Sequence, residues 1–173
     1  QHLTPETRLA GRRSRQVNVL ASSMLTPGDI EAIKEWLAAF GLHGIVVPDL
    51  ADSLDGHLVD EGYLTLTYGG ATREDLAAMG ESVATLVIGD SLQRAADLLH
   101  ARTGVPDHRF AGLMGLDACD AFVHTLSQIA GRPVPATLTR QRAQLQDAMV
   151  DCHFILADVP VALAADGDLL CSL

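Results

Sequence analysis

Short aliphatic runs along the chain alternate with segments in which apolar residues recur at helical spacing. The first run, VNVLA at 17–21, predicts a strand, and the apolar residues at 30–40 recur as they do on one face of a helix. Thr26 and Asp29 have the spacing of a capping box at the start of that helix, and Gly41 follows its end. Together these residues predict one complete strand–helix unit.

The same alternation continues to the end of the chain. Thr72 and Asp75 have the spacing of a second capping box, and the prolines that follow Gly131 forbid easy helical continuation. The uninterrupted apolar run at 44–48 predicts a strand that is buried on both faces. Further strands are predicted at 84–89, 108–111 and within PVALAADGDLL at 160–170, with an extended piece at 63–67; further helices are predicted from 72, from 91 to 103, at 115–130 and at 140–156.

Strands that alternate with helices predict an α/β fold, a doubly wound parallel sheet of the Rossmann/flavodoxin-like type. We divide the chain into a linker or arm at 1–16, an α/β domain at 17–135, and an appended helix and first strand of a following domain at 136–173. In doubly wound sheets, ligands and partners meet the carboxyl ends of the strands. That edge is predicted to consist of the loops at 22–26, 49–57, 89–91 and 112–115.

Charge and hydropathy exclude some functions. The 173 residues carry a formal net charge of −10, so their overall field repels nucleic acid and anionic lipid. No apolar run approaches the roughly 20 residues that a membrane-spanning helix needs, and the first residues do not resemble a signal peptide. We therefore expect a cytoplasmic protein.

The chain has three cysteines, an odd number at wide spacing and without a C-x-x-C pair, which argues against a disulfide framework. Cys119 and Cys152 fall in helical apolar patterns, so filling of the core is favoured over metal ligation. The pattern leaves the exposure of Cys171 open. The acidic loop from Asp49 to His57 matches neither an EF-hand nor a zinc motif, and a solvated loop is favoured there.

The long helix carries Asp147 and Asp151 on one face, whereas His153 points about 200° away from Asp151, so the three cannot share one ion. A structural role is favoured, with the acids paired to Arg140, to Arg142 or to a neighbouring subunit. The first loop, ASSMLTPGD, lacks both glycine-rich phosphate-binding patterns, and the chain has no G-x-S-x-G nucleophile elbow. Motif chemistry alone thus points to no reaction.

An ordered set of segments nevertheless resembles the cofactor-assembly branch of the nitrogenase component 1 family, over roughly residues 17–170. Single pieces such as SLDGHL would be weak support, but the set is specific. The segments are VNVLASSMLTPGDIEAIKEWLAAFGL, VVPDLADSLDGHL, GGATREDLAAMGESVATLVIGDS, the RTGVP turn, MGLDACDAFVHTLSQIAGRPVPATLTRQRAQLQDAMVDCHF and VALAADGDLL.

The resemblance implies three similar α/β domains, of which this chain would hold the second and the start of the third. It implies a scaffold rather than a free-standing enzyme, although the family is one of oxidoreductases. An iron–sulphur cluster and the iron–molybdenum cofactor precursor would be held in an α2β2-like complex with a partner subunit, which the nitrogenase iron protein contacts transiently. None of the cysteines matches the family's cluster ligand, so we assign no catalytic, cofactor-binding or metal-ligating residue.

Two alternatives come from other classes of protein. One is a β-type subunit of nitrogenase or of dark-operative protochlorophyllide reductase, which would share the domain plan. The other is a small-ligand binding α/β module, in which the long loop at 49–70 would close over a ligand at the sheet edge.

Overall fold

The computed structural model describes residue 13 and residues 15–51, 69–156 and 159–173. Four parallel strands form one sheet in the order β2-β1-β3-β4. This is the strand order of a flavodoxin-like doubly wound sheet, and the predicted fold class is confirmed. The strands are β1 (Gln16–Ala21), β2 (His43–Val47), β3 (Ala84–Ile88) and β4 (Asp107–Phe110).

Helices follow the strands along the chain. Short 3-10 turns at Met79–Glu81 and Asp90–Leu92 precede β3 and α3, so the helix predicted from Ser91 becomes α-helical only at Gln93. The last long helix begins at Ala136, directly after the prolines and four residues before its predicted start. The helices are α1 (Pro27–Ala39), α2 (Arg73–Ala78), α3 (Gln93–Thr103), α4 (Leu116–Ala130), α5 (Ala136–Leu156) and α6 (Gly167–Ser172).

Helix ends follow the chemistry of the sequence. The Thr26 hydroxyl accepts from the backbone N–H of Asp29, while an Asp29 carboxylate oxygen accepts from the backbone N–H of Thr26 at 2.8 Å. Thr72 and Asp75 form the same reciprocal box at the start of α2. Each box satisfies two helix-end donors that would otherwise lack partners, and both predicted caps are confirmed.

Both faces of the sheet are covered. Alternate residues of β1 and β3 enter two separate apolar clusters, because successive side chains of a strand point to opposite faces. One cluster includes residues of α1 and α4, and the other includes residues of α3 and Met79. Even in the edge strand β2, Ile45 and Val46 belong to different clusters, as its continuous apolar run predicted.

A buried polar network lies on the second face. Asn18 donates to the carbonyl of Met79 at 3.0 Å and to the hydroxyl of Thr85 at 3.1 Å, and it accepts from the Ser82 hydroxyl at 2.8 Å. Gln16 donates to Ser82 and to the carbonyl of Ala78. The network fixes the turn after α2 to the centre of the sheet.

The prediction of a C-terminal strand is wrong for the described residues. Residues 159–166 have no regular secondary structure, and Gly167–Ser172 are helical. A strand is stabilised by its ladder to a neighbour, and no strand of this sheet pairs with 159–166. The predictions for residues 52–68, including the extended piece at 63–67, lie outside the described residues.

Candidate functional site

The carboxyl edge of the sheet contains the topological switch point of the fold. The chain leaves β1 toward the edge strand β2 and leaves β3 toward β4 at the opposite edge, so the two central strands open a crevice between their ends. Ser22 directly follows β1 and is almost fully buried, and Gly89 directly follows β3. The sequence predicted this edge, through its loops at 22–26 and 89–91, as the functional face.

A carboxylate of the same chain lies in this crevice. Asp168, in the first turn of α6, is only 6% exposed. Its Oδ1 accepts from the backbone N–H of Ser91 at 2.9 Å, and its Oδ2 accepts from the Ser91 hydroxyl at 2.5 Å. Two donors from the start of the α3 region therefore converge on one carboxylate that is 77 residues away in sequence.

The electrostatics of the crevice favour this negative charge. The hydrogen bond from the Ser91 hydroxyl lowers the pKa of Asp168 below its ordinary value, although burial opposes the shift. The backbone N–H groups of Ser91 and Asp90 and the hydroxyl of Ser22 act in the same direction. Exposed N–H groups at the start of a helical segment are a general binding arrangement for anions.

Two glycines let α6 approach the sheet. At Gly89, φ is +116°, and a Cβ there would come within 2.6 Å of Asp168 Oδ2 and 2.5 Å of Ser22 Cβ. A Cβ on Gly112 would overlap the side chain of Ser172 at the other end of α6. Glycine is thus required where the backbone of the edge loops meets α6.

Two connected cavities lie beside the edge. The larger, of about 500 Å³, is enclosed by α4 and the first half of α5 and is mainly apolar. The smaller, of about 340 Å³, extends from there to Met24 and Leu169 at the carboxyl edge. Trp36, Cys119 and Leu145 line both cavities. Such apolar space can accept a side chain of a partner as readily as a small ligand.

The cysteines occupy different environments. Cys119 is half-buried and its thiol donates to the carbonyl of Leu113 at 3.0 Å. Burial, and secondarily the charge of Asp120, raises the pKa of this thiol, so it is a poor nucleophile. Cys152, by contrast, is exposed, and its prediction as a core residue is wrong because the second half of α5 is exposed in the described part of the chain. Cys171, whose exposure the pattern left open, is also exposed.

The acidic candidates are not brought together either. Asp49 is largely buried and pairs with Lys34 at 2.7 Å, so this member of the predicted solvated loop is part of the fold. Residues 52–57 of that loop, with His57, lie outside the described residues. Arg142 forms a bidentate pair with Asp120 of α4 rather than with Asp147 or Asp151, and this pairing lowers the pKa of Asp120.

The donor set therefore does not fit an iron–sulphur cluster. No group of three or more histidine, cysteine or acidic side chains within reach of one metal ion occurs in the described ranges. The one partly buried thiol is held protonated and already donates to a backbone carbonyl. We derive no step through a metal cluster on these residues.

None of the described helices is long and apolar enough to cross a membrane. Even α5, with 21 residues, has no stretch hydrophobic enough to span a lipid bilayer.

The doubly wound sheet, the crevice that Asp168 of the same chain occupies, and the sequence together define a class of protein. The sequence profile of the nitrogenase component 1 type oxidoreductases matches residues 3–173, and the chain belongs to this family.

Particular relatives narrow the position within the family. The chain is 47% identical to the nitrogenase iron-molybdenum cofactor biosynthesis protein NifN of Klebsiella pneumoniae, over 98% of this chain and 37% of that protein. It is 45% identical to NifN of Bradyrhizobium diazoefficiens, over 92% of this chain and 34% of that protein. The chain thus spans little more than a third of these relatives.

The fold is shared with a solved nitrogenase structure, Nitrogenase Cp1 at pH 6.5. The TM-score is 0.87 at 30% identity, over 97% of this chain and 36% of that one. Because the match covers nearly the whole chain, it includes α5 and α6 as well as the sheet.

Proposed function

We propose that this chain is part of a scaffold subunit on which the precursor of the nitrogenase iron–molybdenum cofactor is matured in the cytoplasm. The observation that carries the proposal is the 47% identity, over nearly the whole chain, to a protein that is named for biosynthesis of this cofactor. The cofactor precursor is cargo in this proposal. It would be held in the complete complex and not by the residues described above.

The partner in this proposal is a NifE-type subunit in an α2β2-like heterotetramer, with transient contact to the nitrogenase iron protein. Within that assembly, residues 17–135 form the second of three α/β domains, and residues 136–173 begin the third. Coverage of little more than a third of each relative is in keeping with this division.

The surface of α5 supports a larger assembly. Its second half exposes a run of large apolar side chains, which is unusual for a helix that has only water around it. These side chains are Met149, Val150, Phe154 and Ile155. Burial of this surface against the remainder of the protein would remove it from water.

Relatives in cofactor assembly are closer in sequence than the nitrogenase structure is. Identity is 45–47% to the two NifN proteins and 30% to the solved nitrogenase chain. This difference favours the scaffold over a β-type enzyme subunit.

A segment exchange tests the proposal. In a diazotroph that lacks its own NifN, we would express Klebsiella pneumoniae NifN in which this chain replaces the matching segment. The control carries the matching segment of a nitrogenase β-type subunit instead. We expect the first chimera to restore growth on dinitrogen and the control to fail, with both proteins verified as soluble and bound to NifE.

The proposal would be refuted by the reverse pattern. If the β-type segment restores growth and this chain does not, although its chimera is soluble and binds NifE, the chain belongs with the enzyme subunits.

A further inference from the structure

The crevice between β1 and β3 is the place where doubly wound sheets bind ligands, and here a residue of the same chain fills it. We propose that the crevice is a carboxylate-binding site whose ligand is Asp168, so that residues 166–172 act as a latch that holds the segment after α5 against the sheet. This inference concerns the chain itself and does not depend on the proposed function.

The two hydrogen bonds that Ser91 donates to Asp168 support the proposal. Ser91 supplies both its backbone N–H and its hydroxyl to the two oxygens of one carboxylate, at 2.9 Å and 2.5 Å. Hydrogen bonds to a charged acceptor are shorter and stronger than those between neutral groups. Because Asp168 is 94% removed from water, its charge needs these donors to remain in the crevice.

The hydroxyl of Ser22 is a second polar group beside the carboxylate of Asp168. Ser22 is buried at the end of β1, and its hydroxyl makes no hydrogen bond of good geometry with any described residue. It nevertheless lies beside the same carboxylate, where its dipole helps to stabilise the negative charge. The crevice thus presents hydroxyl groups from the ends of both central strands to the one anion.

The close fit between the carboxyl edge and α6 also supports the proposal. Gly89 and Gly112 lie where any side chain would collide with Asp168 and Ser172, at the two ends of the same short helix. The Ser172 hydroxyl also lies 4.0 Å from the sulphur of Met24. The edge therefore contacts α6 at both of its ends and not only at the carboxylate.

Because α6 follows the segment 159–166, the contact between Asp168 and the crevice also fixes the position of that segment. Residues 159–166 have no regular structure, and their apolar side chains Val159, Val161 and Leu163 are exposed. This segment returns from the exposed end of α5 to the sheet. Asp168 is the first buried residue after this segment. Its carboxylate therefore holds the segment against the sheet.

The latch also bears on ligands. A free phosphate or carboxylate that entered the crevice would need the donors of Ser91 that Asp168 already occupies. With the latch closed, the switch point of this domain is closed to anionic ligands.

Hydrogen–deuterium exchange with mass spectrometry on the 173-residue chain tests the proposal. Asp168→Asn keeps the size of the side chain but removes the charge and one acceptor. Asp166→Asn is the matched control, because it removes the same charge two residues away and asparagine remains a good helix cap. Gly112→Ala displaces α6 sterically and leaves the carboxylate unchanged.

For Asp168→Asn and for Gly112→Ala we expect exchange of residues 159–173 and 89–92 to rise about tenfold or more, the worth of a hydrogen bond to a charged group. Residues of β1 and β3 should stay protected, since local opening leaves the core folded. Asp166→Asn should stay within about threefold of the parent chain.

Equal effects of Asp168→Asn and Asp166→Asn would overturn the proposal, because net charge alone would then explain the change. If Asp168→Asn unfolds the whole chain, Gly112→Ala decides. Release of 159–173 with a protected sheet supports the latch, and unchanged exchange in 159–173 overturns it.

Discussion

A single buried polar residue connects the centre of the sheet to the segment that precedes β3. Asn18 has no exposed surface and satisfies three partners from two other parts of the chain. A buried polar group that loses its partner keeps its desolvation penalty, so such a network is stable only when it is complete. Its residues are thus more sensitive to substitution than their polar character suggests.

We predict that Asn18→Ala lowers the free energy of unfolding by about 2–3 kcal/mol, because it removes three buried hydrogen bonds, to the Met79 carbonyl and to the Thr85 and Ser82 hydroxyls. Urea unfolding followed by circular dichroism measures this change. Gln144→Ala, on the exposed surface of α5, is the control and should stay within about 0.5 kcal/mol. An equally small loss for Asn18→Ala would contradict the role of the network.

Acid should weaken the protein through its hydrogen-bonded carboxylates. The pKa of Asp168 is lowered chiefly by the Ser91 hydroxyl, and that of Asp75 chiefly by the backbone N–H of Thr72. A lowered folded-state pKa means that the stabilisation is fully present above the unfolded-state pKa, near 3.8 for aspartate, and is lost as pH falls through the folded value.

We therefore expect Asp168→Asn to destabilise the chain at neutral pH and to have a smaller effect at about pH 2.5, because the stabilisation by the parent carboxylate declines as pH falls below the unfolded-state pKa and towards the lowered folded-state pKa. The neighbouring acidic residues Asp90 and Asp166 are present in both proteins, so the comparison isolates the carboxylate of Asp168. Unfolding free energies between these two pH values measure the difference. A difference that does not change with pH would contradict the account of Asp168.

Some residues could be assigned from sequence and others could not. Thr26, Asp29, Thr72 and Asp75 were predictable because a cap depends on residues three positions apart. Asp168 falls within the strand predicted at 160–170, and its role was not predictable because its partner Ser91 is 77 residues away. The pattern Asp166-Gly-Asp168 signals a helix start, but nothing local identifies the crevice that receives it.

Elements show the same division between local and distant causes. The strands β1 to β3 and the helices α1, α3 and α4 follow the apolar pattern, because each buries apolar residues in the clusters on the two faces of the sheet. Helix α2 was predicted instead from its capping box. The strand predicted in residues 160–170 failed because strand structure requires a neighbour that the described chain does not supply. The prediction that Cys152 is a core residue was wrong for the same reason, because a residue of α5 is buried only where another part of the protein packs against it.

The exposed half of α5 should make the chain self-associate. Phe154 and Ile155 are 77% and 75% exposed and adjoin further apolar residues of the same helix. We predict that the parent chain associates with rising concentration and that Phe154→Glu with Ile155→Glu reduces this association, because charge opposes burial of the surface. Sedimentation velocity over a concentration series measures the effect.

Gln141→Glu with Gln144→Glu, which adds the same charge to the same helix near its start, is the control and should preserve the association. A parent chain that remains monomeric at every concentration would contradict the prediction.

At the scale of the whole molecule, the described chain is an α/β sheet covered on both faces and followed by a helix whose second half exposes apolar side chains. The carboxyl edge, where a small-ligand module would bind, is closed by the chain's own Asp168. Under the proposed function, this arrangement would make the chain a structural part of a larger assembly.

Iron and acid-labile sulphide provide the decisive measurement, made on anaerobically purified 173-residue chain and on the full-length protein with and without co-expressed NifE. We predict clusters in the co-expressed complex and no stoichiometric iron on the 173-residue chain, because its described cysteines and acids do not converge. Stoichiometric iron on the isolated chain would contradict this and would make the domain a metal site in its own right.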